Sequence, residues 1–193
     1  MALPVGHAAA GYLAYEAVRP AGRHRAGWLA TALLLANAPD LDYLPGLLVG
    51  HPDAWHRGVT HSLAAALAVA AAVTALAAAR RLPGRLALGA ALAWASHLFL
   101  DFVTQNAHPP RGIPLFWPWS ARTVIAAHPL LGEIVIDASG TGAFFRSLVG
   151  PGSARVWLEQ AALLVCAVAA VHAARALAAM RAVPVREVAR DDG

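Results

Sequence analysis

Five apolar segments divide this chain, and they constrain its fold more than any other feature. They run over residues 2–18, 27–38, 62–79, 86–103 and 156–180, built mainly from Ala, Leu and Val. A bilayer span takes about 20 predominantly apolar residues, so four of the five have the length of membrane helices. The second, at 12 residues, must be tilted, extended by its neighbours or only partly inserted. Of the 193 residues, 59% are hydrophobic and 13% charged, and the mean hydropathy is +0.54. A soluble domain is nearer a quarter charged. The expected architecture is therefore all-α: a polytopic membrane bundle of about four to five helices. It forms one domain over residues 1–180, followed by a basic, disordered tail over 181–193. His7 and Glu16 are out of place in a signal-peptide core, and no basic stretch precedes the first apolar run, so a retained first helix is expected.

Two polar stretches interrupt the apolar pattern. Residues 39–61 are dense in Asp and His. Residues 104–155 are long and rich in Pro, Gly and Trp, and read as an irregular loop with short strands around Glu133–Ile136. A loop of that length is usually functional or folded over something. The single cysteine, Cys166, excludes an intrachain disulfide. All 15 basic residues are Arg, dispersed between apolar segments. That distribution suits membrane flanks rather than a nucleic-acid surface.

The Arg residues also orient the chain. Placing the turns after the first and third apolar segments in the cytoplasm puts nine Arg inside (19, 23, 25, 80, 81, 85, 181, 186, 190) and five outside (57, 111, 122, 146, 155), with Arg175 left out because it lies within the last segment, as the positive-inside rule requires. Both polar stretches, the start of the first helix and the end of the fourth then share the non-cytoplasmic face.

That face collects the ionisable residues. Asp40 and Asp42 sit in a Pro-Asp-Leu-Asp turn, where an extended backbone would aim alternate residues the same way; the plain alternative is a solvated turn. His56 and His61 bracket Arg57-Gly58-Val59-Thr60, and Arg57 has the planar fork to pair with a phosphate. Alternatively Thr60 or Ser62 caps the next helix and the histidines are interfacial. His97 and Asp101 lie four apart, hence on one helix face, where they form either a ligand pair or a buried hydrogen-bonded couple. His7 alone reads as a satisfied core residue. Together, His7, Asp40, Asp42, His56, His61, His97 and Asp101 make seven nitrogen and oxygen ligands. That is too many for one tetrahedral zinc but suits two ions bridged by an Asp. His24, in a basic turn, and His172, near the inner end of the last helix, lie on the wrong side; His108 and His128 have no spacing partner, and Glu133 and Asp137 read as structural, so all six rank lower.

The set His7, PDLD at 39–42, HRGVTHS at 56–62, SHLFLD at 96–101 and WPWS at 117–120 resembles the YdjM-type family of bacterial inner-membrane proteins. The likeness covers residues 1–120. Gln105-Asn106-Ala107 departs from it where relatives often carry a Gly-containing turn. The resemblance implies an inner-membrane location and metal-dependent hydrolysis. A more distant similarity, to zinc-dependent phospholipase C-like proteins, is analogy only. The reading that follows is a multi-pass inner-membrane hydrolase with one or two divalent ions, zinc first and manganese or iron otherwise. It acts on a phosphoester or another ester or amide at the membrane surface. Asp42 or Asp101 would act as general base and Arg57 would hold an anionic group. The partners expected are the lipid bilayer and a phospholipid or other small substrate, with no nucleic acid; the oligomeric state stays open. Two rivals remain, a metal transporter or sensor and a structural protein whose His/Asp set is a polar network.

Overall fold

The computed structural model describes residues 2–19, 25–105 and 111–181. Among them are seven α-helices: α1 (Pro4–Val18), α2 (Arg25–Asn37), α3 (Tyr43–Val49), α4 (Leu63–Ala79), α5 (Arg85–Val103), α6 (Thr141–Val149) and α7 (Ala154–Arg181). Five match the apolar segments. The short α3 and α6 arise in the two polar stretches, one in each, where no helix was expected. The described residues contain no strand. Glu133–Ile136 is irregular, and the 104–155 segment contributes only isolated bridges, Thr104 with Leu131 and Ile113 with Val124. The tail beyond Arg181, with His24 and His108, lies outside the described residues.

Helix α1 is the hub. It packs against α2, α5 and α7, while α4 packs on the outer side of α5. The α1–α2–α5 seam is built from Ala14, Tyr15, Ala32, Ala36 and Ala93. Small side chains let helix backbones approach closely, which is how apolar helices associate without a hydrophobic driving force between them. Gly11 shows the limit of that approach, because a Cβ there would sit 2.7 Å from Ala36 Cβ and 3.0 Å from the Ala32 carbonyl oxygen. Gly11→Leu should separate α1 from α2 and destabilise the fold by about 1–3 kcal/mol or more, read as a lowered unfolding temperature in detergent.

Two stretches, Arg85–Val103 and Pro151–Arg181, are long and apolar enough to cross a membrane; α4 is apolar but shorter, at 17 residues. At the other end of α1 and α7 from the polar stretches, Glu16 pairs with Arg175 and, at 3.8 Å, with Arg19. The 104–155 segment folds back over the bundle end that carries the His and Asp residues. Ile113 enters a cluster with Ala66, Trp94 and Leu98, and the Leu115 carbonyl accepts the Leu63 N–H. Ile134 and Phe144 pack with Leu3, Tyr43 and Val156.

Candidate metal centre

Four helix ends meet where the polar residues lie. His7 is in the first turn of α1, which Pro4 opens at a position where its missing N–H costs nothing. The entering segment is tied down at Ala2 N–H, which donates to Asp101 Oδ1 (3.2 Å), and at Leu3 N–H, which donates to Gln160 Oε1 of α7 (2.6 Å). After α2, the Ala38–Asp42 segment winds as a 3-10 turn rather than the extended backbone expected. With three residues per turn, Asp40 and Asp42 leave it in different directions, Asp40 facing His61 at Nε2 and Asp42 facing it at Nδ1. Arg57 adopts a left-handed backbone, φ 59°, a conformation that costs a non-glycine residue of order 1 kcal/mol or more. It turns the chain so that His56, Arg57 and His61 are all buried. Ser62 caps α4 by accepting the Ala65 N–H, leaving Thr60 for the site. His97 and Asp101, one turn apart near the end of α5, are completely buried.

Asp40 Oδ1, His61 Nε2, His97 Nε2 and Asp101 Oδ2 form a compact four-atom cage. His61 and His97 are 3.1 Å apart, Asp40 lies 3.5 Å from His61 and 3.6 Å from His97, and Asp101 lies 3.6 Å and 3.9 Å from the same two nitrogens. The remaining edge is within 4.8 Å. Carboxylate–imidazole contacts of 3.5–3.9 Å are too long for hydrogen bonds. They suit atoms that share a cation, because ligands about 2.1 Å from a tetrahedral zinc stand about 3.4 Å from each other. The residues present therefore fit a divalent cation.

The hydrogen bonds behind the cage leave its nitrogens available. His97 Nδ1–H donates to the Ala36 carbonyl at 2.8 Å, an acceptor that fixes the tautomer with a lone pair on Nε2. His61 Nδ1–H faces Asp42 Oδ2 at 3.2 Å and Thr60 Oγ1 at 3.0 Å, and the Thr60 hydroxyl donates to Asp42 Oδ2 at 2.8 Å. His56 Nδ1–H donates to Asp42 Oδ1 at 3.0 Å, and its ring stacks on Tyr43. Asp42 thus holds two imidazoles by their far nitrogens, an arrangement that orients metal-binding histidines and raises their basicity. The same three residues also lie close enough to share a cation themselves, but 3.0 and 3.2 Å are hydrogen-bond lengths. His7 stacks face to face on His97, with ring centroids 3.7 Å apart. His7 Nε2 stands 3.7 Å from both Asp40 Oδ2 and Asp101 Oδ1, the two carboxylate oxygens that the cage does not use. The buried His7 and His56 Nε2 atoms and both Asp40 oxygens make no hydrogen bond. Arg57 Nε is 3.7 Å from Asp101 Oδ2.

Burial and charge compete in setting protonation here. Burial alone would raise Asp40 and Asp42. The neighbouring His97 and His61 hold Asp40 below the ordinary carboxylate range, and hydrogen bonds from His56 and His61 do the same for Asp42. Burial lowers His56, with Asp42 only partly opposing it. At His61 burial also works downward, but the Asp40 and Asp42 carboxylates outweigh it and push the imidazole up to about 9. Without a cation, His61 Nε2–H then donates to His97 Nε2, so the proton occupies the position a metal would take. Loading must displace it. Apparent cation affinity should therefore rise about tenfold per pH unit up to about pH 9 and then level off. Proton release during zinc titration in weak buffer would measure this.

All seven candidate ligands and Arg57 come together, whereas His128, Asp137 and His172 are exposed and stand apart. Sequence reasoning missed the Ala36 carbonyl, Tyr43, Thr60 as a partner of Asp42, and Gln160. Only Thr60 had a signal, its place inside HRGVTHS.

A family model described as YdjM inner membrane protein matches residues 1–179. The chain belongs to the YdjM inner membrane protein family. No curated protein and no solved structure matches it. The YdjM match includes every residue of the cage, and the family's description places the chain in the inner membrane.

Proposed function

We propose that this YdjM-family protein is a multi-pass inner-membrane hydrolase whose catalytic cation is held by Asp40, His61, His97 and Asp101. The observation that carries the reading is the buried cage, whose imidazole nitrogens are turned inward by bonds at their far sides. In this reading α1, α2 and α4 span the membrane alongside α5 and α7, and the cage opens on the non-cytoplasmic face. The outward Leu158, Val165 and Leu177 of α7 suit contact with lipid.

Zinc, manganese or iron held there would supply Lewis acidity and lower the pKa of a nearby water. The chain's own groups do the rest. Asp42 and the Ala36 carbonyl keep His61 and His97 in the ligating tautomer. Arg57 binds the anionic part of a phosphoester through its guanidinium, which is why that bond is favoured over a carboxylic ester or amide. Asp42 is occupied by two imidazoles and a hydroxyl, so a carboxylate oxygen outside the cage, Asp40 Oδ2 or Asp101 Oδ1, would be the group to take up a proton from water. His7 Nε2, 3.7 Å from both, favours a second reading in which His7, Asp40 and Asp101 would hold a second ion. Zinc- or manganese-loaded protein should hydrolyse a phospholipid or a chromogenic phosphodiester, losing turnover on chelation and regaining it on reloading. A loaded protein inert toward phosphoesters, carboxylic esters and amides rejects the hydrolase and leaves a metal-handling role.

A further inference from the structure

Asp40 is the cage residue nearest the surface, although both its oxygens are buried. Its side chain is 13% exposed, whereas those of His7, His61, His97 and Asp101 are fully buried. Asp40 opens onto a groove of about 550 Å³ between α1, α2, α3, α6 and the start of α7, walled by Leu34, Leu44, Leu47, Leu148 and Trp157 among others. Its volume falls in the range of small-molecule sites, and its lining is apolar apart from Asp40, Asn37 and the Tyr43 ring. Asn37 spends its amide N–H on the Leu33 carbonyl, and its Oδ1 is buried without a hydrogen-bond partner, an acceptor waiting for a hydroxyl or N–H. Leu34 and Leu44 are largely exposed at the groove's rim.

We infer that the substrate is a membrane lipid whose apolar chain lies in the Leu34–Leu44–Trp157 groove, with the scissile bond at the end of the groove where Asp40 lines it. This rests on the hydrolytic reading and adds the substrate's shape to it. An apolar groove that runs up to Asp40 of the cage accepts a chain and rejects a charged solute. A small water-soluble ester would use neither wall of the groove.

The test compares a long-chain phospholipid with a four-carbon-chain phospholipid bearing the same head, both in mixed micelles, using the metal-loaded protein and Leu44→Trp, which fills the groove. The expected result is at least a tenfold fall in long-chain kcat/KM with short-chain turnover and metal content within twofold of the unaltered protein. An unchanged long-to-short ratio overturns the inference. Leu34→Trp, at the more exposed rim, gives the same comparison if Leu44→Trp does not fold. Binding of the long-chain lipid to the metal-free protein, followed by native mass spectrometry, separates this inference from the hydrolytic one. Binding that weakens in Leu44→Trp supports the groove even in a protein that turns over neither lipid. Binding that is indifferent to the substitution overturns it.

Discussion

Asp101→Asn will fold, insert and bind cation more than about 100-fold more weakly than the unaltered chain, and its hydrolytic turnover will fall by about three orders of magnitude or more. The cation estimate exceeds the 10–100-fold typical of outer-shell changes, because Asp101 Oδ2 is itself a corner of the cage, 3.6 Å from His61 Nε2 and 3.9 Å from His97 Nε2. The amide keeps the side chain's size and, through its oxygen, the acceptor for the Ala2 N–H, so the helix end stays assembled. Asp101→Ala is the harsher test. It removes the acceptor and leaves Arg57 beside three imidazoles with one counter-charge fewer, at a cost of about 3–5 kcal/mol when a buried pair is broken. His61→Ala should match Asp101→Asn in cation affinity. His128→Ala, at an exposed position apart from the cluster, should change nothing. Cation affinity by competition with a chromogenic chelator, read beside turnover, checks all four. Equal affinity in Asp101→Asn and the unaltered protein would remove Asp101 from the cage.

Asp42→Ala will weaken cation binding by about 10–100-fold without changing the ligand set. Asp42 does not reach the cage with its own oxygens. It holds His56 at 3.0 Å and His61 at 3.2 Å by their Nδ1 atoms, and without it both rings are free to turn and His61 loses basicity. Restoring an acceptor with Asp42→Asn should recover part of the affinity, since one amide oxygen can serve one imidazole. A cobalt-substituted sample distinguishes the roles: its visible spectrum should persist in Asp42→Ala at saturating cobalt and change in Asp101→Asn. If both variants alter the spectrum equally, Asp42 is a ligand.

The convergence of His7, Asp40, His61, His97 and Asp101 could be read from the chain because two periodicities agreed. Apolar runs located the helices, and the Arg-rich turns between them implied an alternation that left every His/Asp segment at the same end. What the sequence did not carry was local. The α3 segment, Tyr43-Leu44-Pro45-Gly46-Leu47-Leu48-Val49, holds a Pro and a Gly within seven residues, and its helicity depends on packing against the His51–Pro52 backbone at Gly46. α6, nine residues amid Gly and Ser, depends likewise on Phe144 docking beside Tyr43. The Asp-Leu-Asp turn was expected to aim both carboxylates alike, but Pro39 and the end of α2 wind it into a 3-10 turn that gives each its own task. The Ala36 carbonyl that sets the His97 tautomer has no side-chain signature, since any residue there offers the same oxygen.

The most direct test of the cage is the metal content of the full chain purified in detergent, incubated with zinc and then freed of loose ions. One or two tightly held equivalents, lost in Asp101→Asn and in His97→Ala while helical content is retained, is the predicted result. A well-folded protein that retains no zinc, manganese or iron would contradict it, and would leave the His/Asp cluster as a hydrogen-bonded network that clamps the helix ends.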